Sequence, residues 1–82
     1  MSRRNKTPRV VERKLKGAAL GYAYSDGLIE IDPRQPPREY LDTLVHESLH
    51  LAFPEMEEAE IDKNARFITA ILWRQNYRKV SQ

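Results

Sequence analysis

The sequence predicts an α+β domain, a small N-terminal β-hairpin or short antiparallel sheet followed by two helices. Three observations lead there. Large and small residues alternate around an Asp26-Gly27 pair, prolines bracket residues 38–53, and apolar residues recur at helical spacing from Ile61 to Leu72. With 82 residues the chain has room for one core only. We expect a flexible basic arm over residues 1–9 and a single domain over residues 10–82.

Taken in order, residues 1–9 are polar, basic and broken by Pro8, the pattern of a segment without regular structure. Val10–Leu15 reads as a short strand. Leu20, Tyr22 and Tyr24 alternate with Gly21 and Ala23, as in a half-buried strand. Asp26-Gly27 is a hairpin turn signal, because both residues tolerate positive φ. Leu28–Asp32 is the return strand, with Ile29 and Ile31 on one face. Pro33, Pro36 and Pro37 exclude regular structure before the next element, and Pro37 suits the first turn of a helix. That helix is expected from about Arg38 to Phe53, where Pro54 stops it. A second helix should begin among Glu55–Glu58, where negative charge favours an N-terminus, and run to about Arg78.

Composition removes several function classes. There is no cysteine, so disulfides and thiolate metal sites are excluded. No apolar run approaches a membrane span and no secretory h-region opens the chain, so a cytoplasmic protein without membrane contact is expected. The net charge of +2 is unevenly spread. Residues 1–16 hold seven basic side chains against Glu12 alone, a balance of +6 that leaves −4 for the remainder, with five acids between Glu55 and Asp62. Residues 3–16 are therefore a candidate contact, weak in strength, for nucleic acid or an acidic partner. Tyr22 and Tyr24 could stack on bases beside them, although packing against the helices is the reading preferred here. Trp73 and Tyr77, four residues apart, read as packing surface or, if exposed, as a dimer contact; a monomer or small homo-oligomer is expected.

The only two histidines stand together in Thr43-Leu44-Val45-His46-Glu47-Ser48-Leu49-His50. Residues four apart on a helix differ by about 40° and share a face, so His46 and His50 can offer two imidazole nitrogens to one ion. Both lie well away from the apolar stripe of Leu41, Leu44, Val45 and Leu49, and are not core histidines. Covering that face falls to the second helix, whose apolar set is Ile61, Ala65, Ile68 and Leu72. Glu57 and Glu58 flank this set at about 50° on either side, Glu60 points away, and periodicity does not choose between the first two. Zinc accepts imidazole nitrogen and carboxylate oxygen, so two histidines and one downstream glutamate make a ligand set with a fourth position open to water. Glu47 is too poorly placed to join it and is the candidate general base for that water. An H-E-x-x-H string arises by chance in well under about one percent of chains this long, which favours the metal site over a decorative surface helix.

With these residues the chain resembles the zincin metallopeptidases, in the glutamate-ligand branch called gluzincins. The shared features are HESLH (His46–His50), the hairpin before it, and a second helix opening EMEEAEID (Glu55–Asp62). It also looks like the minimal zincin domains of small phage and bacterial proteins, including the core of ImmA/IrrE-like peptidases. That likeness runs through GLIEIDPR and EYLDTLVHESLHLAFPEMEE, about half the chain. The resemblance implies zinc as cofactor, ligands His46 and His50, and Glu47 as catalytic base. It implies a third ligand in the second helix, Glu58 in preference to Glu57. It also implies a peptide or protein substrate pairing with the edge of the strand before the active-site helix, here Leu28, Ile29, Glu30 and Ile31. Metzincins and SprT-like proteases are disfavoured for want of a third histidine. An oxyanion donor is unassigned among Tyr22, Tyr24, Tyr40 and Tyr77. The expected function is thus a small zinc-dependent peptidase. The alternative is a zinc-stabilised module that binds protein or nucleic acid with little or no turnover.

Overall fold

The computed structural model describes residues 7–80. It has three strands and two helices in the order β1 (Arg9–Glu12), β2 (Gly21–Ala23), β3 (Leu28–Ile31), α1 (Pro37–Ala52) and α2 (Glu58–Arg74). The α+β layout is the expected one. The sheet is mixed rather than purely antiparallel: its order is β1-β3-β2, with β2 antiparallel and β1 parallel to β3. Most of the expected arm, residues 1–6, lies outside the described residues, and Arg9 belongs to β1 rather than to the arm.

The hairpin forms where Asp26-Gly27 predicts it, with a longer loop. Tyr24 N donates to Leu28 O at 2.8 Å and Gly27 N to Tyr24 O at 2.9 Å, so Ser25, Asp26 and Gly27 form a three-residue turn. Only Gly27 takes positive φ, at 98°, the left-handed conformation that glycine accepts without a Cβ penalty.

β1 reaches its parallel place through Asp32, just past the end of β3. The Asp32 carboxylate is buried and accepts from Leu15 N at 2.8 Å and from Arg34 N and Nε at 3.0 and 2.9 Å. The bond to Leu15 ties the chain after β1 to the chain after β3, and Leu15 enters the core beside it. Sequence periodicity carries no sign of this clip.

Both helices lie on one side of the sheet. A Cβ built on Gly21 would meet Thr43 and Glu47 of α1, which fixes the helix-facing side of β2. Ile29 and Ile31 of β3 are buried, and Glu30 between them points the other way. The buried apolar core is small: Leu15, Ile29, Ile31, Ile61 and Ala65. In α1 the buried residues are Thr43 and Glu47, not the apolar stripe, because that is the line pressed on β2.

α2 ends about one turn before the expected Arg78. Asn76 adopts φ 68°, Tyr77 N donates to Leu72 O and Asn76 N to Trp73 O, the paired bonds of a left-handed helix stop. Tyr77 therefore falls beyond the helix and is exposed, and the Arg78 guanidinium sits 3.5 Å over the Trp73 ring. Among the described residues, no helix is long and apolar enough to cross a membrane.

Candidate metal centre

His46 and His50 project from consecutive turns of α1, with ring centroids 5.0 Å apart. Opposite them, Glu58 is the first residue of α2 and spans the pair. Its Oε2 lies 2.9 Å from His46 Nε2 and its Oε1 3.1 Å from His50 Nε2. Glu57, the other candidate, is the residue at which α2 begins, with extended backbone (φ −72°, ψ 154°), and it is not in the group. Pro54 ends α1 and the chain re-enters helix four residues later, which sets Glu58 against the last turn of α1.

One donor atom from each of His46, His50 and Glu58 lies within 4.8 Å of the other two. Tetrahedral zinc with nitrogen and oxygen ligands near 2.0–2.1 Å has ligand–ligand edges of about 3.3 Å. The two contacts to Glu58 are within a few tenths of an ångström of that edge. The donor types are those zinc accepts, and these residues fit the ion.

Asp62 was not anticipated. One turn after Glu58 on α2, its Oδ1 is 3.4 Å from His46 Nδ1, so the nitrogen turned away from Glu58 faces a carboxylate. Such a partner fixes the tautomer and orientation of a ligating imidazole. The i, i+4 spacing of Glu58 and Asp62, equal to that of His46 and His50, is the sequence signal that points to it.

Glu47 occupies the other wall. It is buried against β2, where the absence of a side chain at Gly21 makes room: a Cβ there would stand 3.2 Å from Glu47 Cγ and 2.8 Å from Thr43 Cγ2. Thr43 is held in turn, donating to Gln35 Oε1 at 2.7 Å, while Gln35 Nε2 donates to the Asp32 and Leu20 carbonyls. Burial raises the Glu47 pKa; the two histidines oppose the shift and Glu58 adds to it. A carboxyl raised in this way is a stronger base than an exposed glutamate.

These groups border one open cleft of about 1180 Å³, which continues between the end of α1 and the hairpin past Ala23, Ile29, Leu51 and Pro54. Of the four tyrosines, Tyr22 alone borders it; Tyr40 instead donates to Glu12 beside Lys79. Burial, seconded by the Glu12 hydrogen bond, raises the Tyr40 phenol to about 12.

The expected substrate edge needs correction. β3 is the central strand, paired with β1 on one side and β2 on the other, so Leu28, Ile29, Glu30 and Ile31 have no free edge to offer. The unpaired edge beside the cleft belongs to β2. Since Leu20 O and Tyr24 N bond to β3, strand alternation turns the amides of Gly21 and Ala23 outward.

No family model, curated protein or solved structure matches the chain.

Proposed function

We propose that this protein is a compact zinc-dependent peptidase of the zincin type, with His46, His50 and Glu58 as metal ligands and Glu47 as general base. The observation that carries the reading is the convergence of three zinc-type donors from two helices beside a buried, separately held glutamate. Zinc bound there would supply Lewis acidity toward a carbonyl oxygen and acidify water at its open position. The chain's own residues would do the rest. Glu47 takes the proton from the attacking water and returns it to the leaving amine. Asp62 keeps the His46 ring aligned, and the outward amides of Gly21 and Ala23 pair with an extended peptide along the β2 edge.

The test is a metal analysis paired with one substitution. Protein purified without added metal should hold one zinc per chain, lost in His46→Ala. Glu47→Gln should keep the zinc and the thermal transition while hydrolysis of a mixed peptide library disappears. Equal library digestion by Glu47→Gln and the unmodified chain, or absence of zinc from both, rules the reading out.

A further inference from the structure

The metal centre leaves unexplained the side of the sheet turned away from both helices. With Gly21 and Ile29 on the helix side, strand alternation and register place Tyr22, Tyr24, Leu28, Glu30, Arg9 and Val11 on the opposite side. Nothing among the described residues covers them: Tyr22 is 46% and Tyr24 41% exposed, and their ring centroids are 6.4 Å apart. The preferred sequence reading, that these tyrosines pack against the helices, is therefore wrong. Tyr24 is also held in place, its hydroxyl donating to Glu30 at 2.9 Å.

Charge decides what such a surface attracts. Residues 1–32 hold seven basic side chains against four acids, a balance of +3. Those acids are engaged. Asp32 is buried under Arg34, Glu12 is bound by Tyr40 and Lys79, Arg13 grips Glu30 through two bonds of 3.0 and 2.9 Å, and Asp26 lies 3.5 Å from Arg9. Lys14 and Lys16, exposed just after β1, pair with no acid among the described residues.

We propose that this open sheet face binds single-stranded nucleic acid, with bases stacking on Tyr24 and Tyr22 and phosphates running past Arg9, Arg13, Lys14 and Lys16. Aromatic rings on a flat sheet offer bases a π-surface regardless of sequence, and adjoining cations track the backbone. A duplex hides those base faces, so single strands are preferred. The inference does not rest on the metal reading and stands or falls separately.

Fluorescence anisotropy with labelled twenty-nucleotide dT and rU strands tests it on the full chain. Tyr24→Ala should weaken binding at least about fivefold, the low end of a lost base–aromatic stack, while Tyr24→Phe retains it. Replacing Lys14 and Lys16 together by Ala should make the log–log salt slope shallower by about 1.4, two phosphate contacts at about 0.7 each. In the unmodified chain, amide shift changes on adding dT should map to Arg9–Glu12, Tyr22–Tyr24 and Leu28–Glu30. Any one of four results overturns the proposal: no strand binding, equal binding by Tyr24→Ala, a duplex bound as tightly as the single strand, or shift changes confined to the helices. Displacement of dT by polyglutamate at equal charge concentration would assign the surface to an acidic protein instead.

Discussion

Two single atoms govern the candidate centre. The first is the hydrogen at Gly21 that stands where any other residue has Cβ. Gly21 does not sit at positive φ, so alanine is acceptable to the backbone and its effect is steric. The Glu30 carbonyl, at 3.2 Å from the added carbon, is backbone and cannot yield, and Thr43 is held by Gln35, so the displacement passes to Glu47. Gly21→Ala should lower kcat on the order of 10-fold to 100-fold, as misplacement by about an ångström does, and leave the zinc content at one per chain. Steady-state kinetics with metal analysis checks it, and an unchanged kcat would show that Glu47 is not aimed by this contact. The second atom is Asp62 Oδ1, facing His46 Nδ1. Asp62→Asn should weaken zinc binding about 10-fold to 100-fold, measured by competition with a chromophoric chelator. The donors His46, Glu47 and His50 were legible in the sequence because a five-residue string on one helix fixes their relation. Glu58 over Glu57 was not, because it depends on where α2 begins.

At the level of elements, the pieces were legible and one pairing was not. Asp26-Gly27 announces the hairpin, and the prolines at 36, 37 and 54 announce α1, since these residues act through local backbone chemistry. The parallel seat of β1 depends on Asp32, a contact 17 residues away in sequence, and local pattern does not encode it. The consequence of that missed contact can be tested by acid. The Arg34 guanidinium above all, then the Leu15 and Arg34 amides, hold the Asp32 carboxyl far below the usual aspartate range. A carboxyl whose pKa is depressed by folding stabilises the fold above its unfolded value, about pH 4, and loses that stabilisation as pH falls further. Unfolding midpoints in urea should therefore drop steadily below about pH 4. Asp32→Asn should flatten that acid limb and lower stability at neutral pH, where the charged contacts are otherwise intact. An acid limb that is the same in both chains would place the titrating group elsewhere. The missed end of α2 has a similar lesson: Asn76 stops the helix through a left-handed turn, and only its residue type hints at that from sequence.

For the molecule as a whole, the balance between core and function sets the stability. Five apolar side chains are buried, two of them fully, while Thr43, Glu47 and Thr69 take interior positions that a more stable domain would fill with apolar groups. The α1–α2 packing is completed by polar contacts, including Thr69 to Asp42 at 3.3 Å and Glu58 across the two histidines. An ion bound by His46 and His50 of one helix and Glu58 of the other acts as a clamp between them, and binding only the folded state stabilises it by mass action. At zinc about a thousandfold above its dissociation constant, that amounts to about 4 kcal/mol. In a domain this size, 1 kcal/mol moves Tm by about 4–8 °C, so chelation should lower Tm by roughly 15–30 °C, and restoring zinc should reverse the shift. His50→Ala should unfold near the chelated temperature and respond to neither chelator nor zinc. Glu47→Gln should follow the unmodified chain, because its side chain lies outside the three-donor group. Scanning calorimetry on these three chains separates the clamp from the base. A Tm that is indifferent to chelator in the unmodified chain would mean that α1 and α2 hold together without an ion, and that the convergence of His46, His50 and Glu58 has no metal to serve.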